Sequence, residues 1–340
     1  MDKEQLLSRL QPEIERINQA MTAEFSDIKS SRLAEVVDYG IFNGGKRIRP
    51  LLTVLMARLV TFTRMPEGIA DEEELSPPPD LYRLAMVFEF LHAASLLHDD
   101  VIDHADTRRG KKTANQLWDA STAILAGDYL HTRAMTLAGL VGGDKALALI
   151  GEATSAMIDA EFRQAQTVAD ANLSEENYFN VLRGKTGALI GAACEVGALF
   201  AGADKEQRAA IRTFGDALGL AFQVADDLLD YLGDAASTGK AIGNDFVEGK
   251  MTLPLIYAIA NASADKRHIL TDLLAGGASE RQARIKEITA IIDEAGGFSY
   301  ARQGADTLIQ AALESLAPFK ECDSRDTLEL LAHYVLSRNK

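Results

Sequence analysis

From Leu81 to Asp106 the chain runs without a proline or a glycine. Apolar residues return there every three or four positions, a spacing that predicts one long helix. Only 8 prolines occur in 340 residues, and alanine and leucine recur in segments of the same period. The fold class expected is therefore all-α. Further helices are predicted at 3–28, from 32 to near Gly44-Gly45, after Pro50, and at about 115–138, 144–168, 174–200, 205–232 and 251–262. Residues 63–80, with the acid run DEEE and Pro77, Pro78 and Pro79, read as a solvated loop. Nothing in composition marks a boundary, so 1–340 is expected to form a single domain without repeats.

A formal charge of −15 argues against a general nucleic-acid surface, which needs clustered Lys and Arg. Cys194 and Cys322 match no zinc spacing and could form at most one bridge, which points to a reducing, cytoplasmic setting. The N-terminus lacks a signal-peptide core, and no run is expected to be long and apolar enough to span a bilayer.

The segment LLHDDVIDHADTRRG, 96–110, carries the first candidate chemistry. On a helix Asp99 and Asp103 lie about 40° apart, with Asp106 near them and Asp100 beside the stripe. Such carboxylates repel one another, and a hard cation such as Mg²⁺ relieves the repulsion while sharing phosphate oxygens and water. Alone, such a cluster is more often a solvated acidic helix end. FQVADDLLDYLGD, 222–234, repeats the pattern at Asp226, Asp227 and Asp230. If the two helices converge, six carboxylates reach one cavity mouth, a charge density that calls for metal and an anionic ligand. Basic groups in glycine-containing turns accompany them: Lys46, Arg47 and Arg49 in GGKRIRP before a helix, Arg108-Arg109, Lys185 in RGKTG, Lys240 in TGKAIGND and Lys250 in EGKMTLP.

GGKRIRP, HAASLLHDDVIDHADTRRG, GKTG, FQVADDLLD, GKAIGND and EGKMTLPLIYA stand in the order found in trans-isoprenyl diphosphate synthases, and the chain resembles that family over roughly residues 40–260. The closing YVLSRNK is similar to the family's basic C-terminus. The resemblance implies an all-α isoprenoid synthase fold around a central cavity, usually in a homodimer. It also implies up to three Mg²⁺ ions on Asp99, Asp100, Asp103, Asp226, Asp227 and Asp230. Arg108, Lys185, Thr186, Gln223, Lys240 and, less directly, Lys250 correspond to residues around an allylic diphosphate such as farnesyl diphosphate. Gly45, Lys46, Arg49, His92 and Arg109 correspond to the isopentenyl diphosphate site. His92 has separate support, because seven residues before Asp99 puts it within about 20° of the same face. His98 lies off this stripe and is expected to be structural. His104 stands where many relatives carry an acid.

The implied reaction expels diphosphate from the allylic carbon, adds the isopentenyl double bond to the cation and loses a proton to the departing diphosphate. Mg²⁺, Arg108, Lys185 and Lys240 would stabilise the leaving anion. The product would run from Asp99 back along its helix past Ser95, Ala94, Leu91 and Phe88. Ala94 and Ser95, about 6–8 Å from Asp99, are not the aromatics that short-chain relatives often carry. DDVID also lacks the two-residue insertion of many farnesyl synthases. Both features resemble long-chain, octaprenyl-like enzymes. Phe88, about 16 Å away on nearly the same face, is either a floor that shortens the product or a core residue. A short-chain synthase, a terpene cyclase and a non-catalytic subunit are the alternatives. A cyclase usually has an Asn/Ser/Glu motif at the second site, and a non-catalytic subunit has damaged aspartates. A di-iron protein would need paired Glu-x-x-His motifs.

Overall fold

The computed structural model describes residues 3–66, 77–233 and 243–337. The acid run and Lys240 lie outside these residues. Among the described residues the chain is all-α apart from a two-residue hairpin pairing Thr107–Arg108 with Lys111–Lys112. By internal contacts it divides into two compact units. The first comprises Met1–Thr154, Ala192–Arg212 and Leu316–Leu330; the second comprises Ser155–Gly191, Thr213–Ser315 and Leu331–Lys340.

Helices α1 (Lys3–Glu24), α2 (Ser31–Phe42), α3 (Ile48–Arg64), α4 (Pro79–Ile102) and α6 (Ala120–Leu137) build the first unit, with the short α5 (Ala114–Leu117) between the last two. Ser30 caps α2 by accepting from the Leu33 amide at 3.3 Å. Pro50 falls in the first turn of α3, where its missing N–H breaks no helical bond. Helix α4 is the centre: α1, α2, α3 and α6 all pack on it. Its buried residues run from Leu81 through Phe88, Phe90 and Leu91 to Leu97, around its whole circumference, as expected of a helix enclosed by neighbours.

Helix α4 stops at Ile102, four residues before the expected end. His104 takes the left-handed conformation, φ 50°. Its amide donates to Val101 O at 3.3 Å, and the Ala105 amide reaches back to Asp100 O at 3.0 Å. This pair of bonds closes a helix C-terminus, normally with glycine at the left-handed position. Asp103 is thus the last helical cap, and Asp106 leaves the carboxylate stripe to enter the hairpin turn.

The predicted connection near 142–144 is only one residue long. After a π-turn at Ala138–Gly142, Gly143 takes φ 72° and α7 (Gly143–Gln166) follows at once. The resulting helical run, Ala120–Gln166, contains a window long and apolar enough to cross a membrane, which corrects the expectation that none would. The cause is an apolar surface as well as an apolar core: Leu125, Leu140 and Phe162 are 65%, 74% and 69% exposed.

The expected helix at 174–200 is divided, and its part from Ala192 onward belongs to the first unit. Helix α8 (Glu175–Leu182) passes through a π-turn at Arg183–Gly187 into α9 (Ala188–Phe200). Helix α10 (Lys205–Leu232) follows, then α11 (Asn244–Val247) and α12 (Leu253–Asn261). Five further helices cover Ala264–Ser337, a region for which the sequence reading named none. Their apolar spacing is nonetheless regular: Leu270, Leu273 and Leu274, then Ile288, Ile291 and Ile292, all join the buried core with Val224, Leu228 and Phe246.

Within the first unit Thr53 and Gly197 mark the closest approach of α3 to α9. Thr53 Oγ1 donates to Ala193 O at 3.0 Å, and a Cβ on Gly197 would lie 2.2 Å from Thr53 O. Backbone cannot yield as a flexible side chain can, so Gly197→Ala is expected to destabilise the protein by about 2–3 kcal/mol. A urea midpoint equal to that of the wild type would contradict this packing.

Candidate active site

The first unit gathers the basic turn before α3, the C-terminal half of α4 and the hairpin. Gly44 and Gly45 take φ of 97° and 127°, conformations that glycine adopts without steric cost. Their Cα positions face the Arg109 guanidinium, which would lie 3.4 and 3.6 Å from a Cβ on either glycine. Lys46 is exposed at this turn. Arg49 Nε is buried and has no acceptor among the described residues, and burial followed by Arg109 repulsion lowers its pKa against the pull of Glu89. His92 is held well below its ordinary value, first by burial and then by Arg49, Arg109, Arg108 and Arg47. It is therefore a neutral hydrogen-bonding group among cations. The predicted set Gly45, Arg49, His92 and Arg109 is thus assembled in one place. A diphosphate oxygen is the kind of acceptor that the orphaned Arg49 donor lacks.

At the end of α4 the three aspartates have different surroundings. Asp100 is 4% exposed and accepts from Arg108 Nε at 2.7 Å. Arg108 is thereby fixed at a cleft of about 410 Å³ that also meets Asn43, Arg109 and Lys112. Asp99 and Asp103, one helical turn apart, end the helix in less enclosed positions. His98 turns instead to α6: its Nε2 lies 3.2 Å from Ile124 O, and a Cβ on Gly127 would clash with it. It packs against α6, off the aspartate stripe. Phe88 and Leu91 are buried in the core, Ala94 is 2% exposed, and Ser95 donates to His92 O at 2.9 Å.

The second unit holds a cleft of about 640 Å³ lined by Gln164, Lys185, Gln223, Asp227, Asp245 and Lys250. Lys185 and Thr186 project from the π-turn, a distortion that often marks function. Gly184 permits it, because a Cβ there would lie 2.7 Å from Ala156 O. Thr186 Oγ1 donates to Gln223 Oε1 at 3.1 Å, and Gln223 Nε2 donates to Asp227 Oδ1 at 3.1 Å. Tyr178 completes the line by donating to Asp227 Oδ2 at 2.7 Å. Lys185 Nζ sits between Gln164 Oε1 at 2.8 Å and Glu161 Oε1 at 2.7 Å. Lys250 pairs with Asp245 and Glu248, whose charges outweigh its burial and raise its pKa. The Asp245 amide in turn donates to Asp230 Oδ2 at 3.0 Å.

Tyr178, Gln164, Glu161 and Asp245 were not among the predicted site residues. Asp245 stands in the quoted GKAIGND, whereas Tyr178 lies 49 positions from its partner and carries no local signal.

These carboxylates suit a hard cation. Asp227 is pushed up to about 7, first by burial and then by Asp245 and Asp226, against the hydrogen bonds from Gln223 and Tyr178. Its negative charge is thus incompletely balanced by the protein, and a divalent ion would supply the balance. Among the described residues no three acid, His or Cys side chains stand close enough to enclose a metal by themselves. Water and diphosphate oxygens would fill the remaining positions, as Mg²⁺ prefers.

A family model described as Polyprenyl synthetase matches residues 30–292. The octaprenyl diphosphate synthase of Haemophilus influenzae is 35% identical over 329 residues, 96% of this chain and 94% of that one. A decaprenyl diphosphate synthase structure from Rhodobacter capsulatus superposes with a TM-score of 0.86 at 34% identity, covering 99% of both chains. A polyprenyl synthase from Caulobacter crescentus, complexed with calcium and isoprenyl diphosphate, gives 0.85 at 34% identity, covering 99% of this chain and 98% of that one. The chain belongs to the polyprenyl synthetase family. It is a trans-prenyltransferase with the all-α isoprenoid synthase fold, from a metal-dependent family that condenses an allylic diphosphate with isopentenyl diphosphate.

The raised Asp227 pKa fixes a sign for pH dependence. Because the folded value exceeds the unfolded one, the folded chain holds a proton between about pH 4 and pH 7 that the unfolded chain has released, and stability falls as pH rises through that window. Without metal, Asp227→Asn should lose less melting temperature than the wild type between about pH 5 and about pH 8. Parallel melting curves for the two proteins across that range would contradict the burial argument.

Proposed function

We propose that the chain makes a long-chain, octaprenyl-like all-trans product by Mg²⁺-assisted 1′–4 addition. Isopentenyl diphosphate binds at Gly45, Lys46, Arg49, His92 and Arg109. The allylic diphosphate binds with Arg108, Lys185, Thr186, Gln223, Lys240 and Lys250. The observation that carries this reading is the buried Arg49 Nε without an acceptor among the described residues, beside Arg109 and a neutral His92. It supports an anion site in the first unit built from arginine donors.

Asp99, Asp100, Asp103, Asp226, Asp227 and Asp230 would hold up to three Mg²⁺ ions. Bound there, Mg²⁺ supplies charge neutralisation for the departing diphosphate. The protein's own cations do the rest. Lys185 exchanges Glu161 and Gln164 for diphosphate oxygens, so no charge needs to be brought from bulk water at the moment of reaction. Arg49 and Arg109 orient the isopentenyl double bond toward the allylic carbon as its C–O bond breaks. The double bond then adds to the cation, and the proton lost from the adduct goes to the released diphosphate.

A long product agrees with Ala94 and Ser95 at the positions before Asp99, and with the octaprenyl and decaprenyl activities of similar proteins. Phe88 is wholly buried on α4, which favours its core role. Exposed Leu125, Leu140 and Phe162 on the Ala120–Gln166 run support a homodimer, since a second copy would cover them.

Incubation with isopentenyl diphosphate, farnesyl diphosphate and Mg²⁺ should give prenyl diphosphates of roughly octaprenyl length, and no hydrocarbon. Asp99→Ala and Asp226→Ala should each lower turnover by a hundredfold or more, on the order of 3 kcal/mol. Ala94→Phe should shorten the product. Near-normal isopentenyl incorporation by both aspartate variants would sink the reading, and an unchanged length in Ala94→Phe would sink its product-length part.

A further inference from the structure

Arg47 stands between Lys46 and Arg49 in GGKRIRP, and sequence alone groups it with them as a phosphate ligand. Its surroundings assign it elsewhere. The side chain is 5% exposed and donates to Asn18 Oδ1 on α1 at 2.9 Å, to Ile41 O in the last turn of α2 at 2.8 Å, to Gly44 O at 3.4 Å and to Glu89 Oε1 on α4 at 2.7 Å. These four bonds use four of the five N–H donors of a guanidinium. Its charge is matched by Glu89, itself 6% exposed.

The pair also sits against the turn expected to take the substrate. A Cβ on Gly45 would lie 2.8 Å from Arg47 Nη1, 3.5 Å from Glu89 Oε1 and 3.6 Å from Arg109 Nη1. Gly45 is therefore bounded by the buried ion pair and by a cation of the substrate site. Arg47 has φ 53°, in the left-handed region that residues with a Cβ rarely adopt. Two of its bonds, to Ile41 O and Gly44 O, return to its own segment and hold that conformation.

We propose that Arg47 and Glu89 are a positioning pair for isopentenyl diphosphate: they fix the Gly44–Lys46 turn and the start of α3 in the shape that receives the diphosphate, without touching it. The inference rests on the reading of Gly45, Lys46 and Arg49 as the isopentenyl diphosphate site. Glu89 lies three residues before His92 on α4, so one helix sets both the clamp and the neutral histidine of this site.

Removing one partner strands the other as a buried charge and endangers folding. The deciding variant is therefore the double substitution Arg47→Met/Glu89→Met, which removes both charges and keeps apolar bulk. Its isopentenyl diphosphate Kd, by calorimetry, and KM should rise roughly tenfold to a hundredfold. Its allylic KM, and kcat at saturating isopentenyl diphosphate, should stay within about twofold of wild type, because the variant displaces one substrate's site without removing a reacting group. Arg47→Lys, which keeps the charge but cannot meet all four acceptors, should fall between. Unchanged isopentenyl diphosphate affinity in the folded double variant would overturn the proposal, as would equal losses in both substrates' terms. Arg49→Ala separates the two readings. If it loses isopentenyl diphosphate affinity while the double variant does not, the positioning role fails and the site stands; if neither loses affinity, the site reading fails as well.

Discussion

The constraint on which the first unit depends is the cost of charge on a helix that is buried all round. Helix α4 packs against four others and carries Glu89, His92 and Asp100 within its enclosed length. Each charged group is matched: Glu89 by Arg47 and Asp100 by Arg108. His92 escapes the cost by remaining neutral. Matching these groups brings the basic turn and the hairpin to the same helix. Arg49 and Arg109 are positioned beside His92 as a consequence.

The second unit solves the same problem with hydrogen bonds in place of a guanidinium. Asp227 is buried and accepts from Tyr178 and Gln223, while burial and the charges of Asp245 and Asp226 push it up to about 7. Lys185 and Lys250 are engaged by carboxylates at the cleft. Such pairs at partly exposed positions contribute little stability. They can exchange one anionic partner for another at small cost, which suits a diphosphate-binding role better than a structural one.

Much of this was legible in the sequence because the signals are local. The helical period predicts most elements up to 262, and the resemblance carried by the acidic and basic motifs groups Gly45, Arg49, His92 and Arg109, with only His92 also placed by helix geometry. Other features depend on contacts that no local pattern records. The early stop of α4 needs His104 in a left-handed conformation, a position usually filled by glycine. Arg47 looks like its neighbours until Asn18 and Glu89 are seen beside it. The π-turn at Lys185 depends on how closely Gly184 approaches Ala156. The helices after 262 are a different case: Leu270, Leu273 and Leu274, then Ile288, Ile291 and Ile292, carry a regular helical period without any chemical motif.

The central claim is that two sets of aspartates take metal with the allylic diphosphate while a separate arginine site takes isopentenyl diphosphate. A crystal structure with Mn²⁺, an uncleavable allylic thiodiphosphate and isopentenyl diphosphate tests it directly. The account predicts anomalous peaks for Mn²⁺ on Asp99 and Asp103 and on Asp226 and Asp230, with the isopentenyl diphosphate oxygens on Arg49 and Arg109. Metal bound away from both motifs, or isopentenyl diphosphate seated without Arg49, would contradict it.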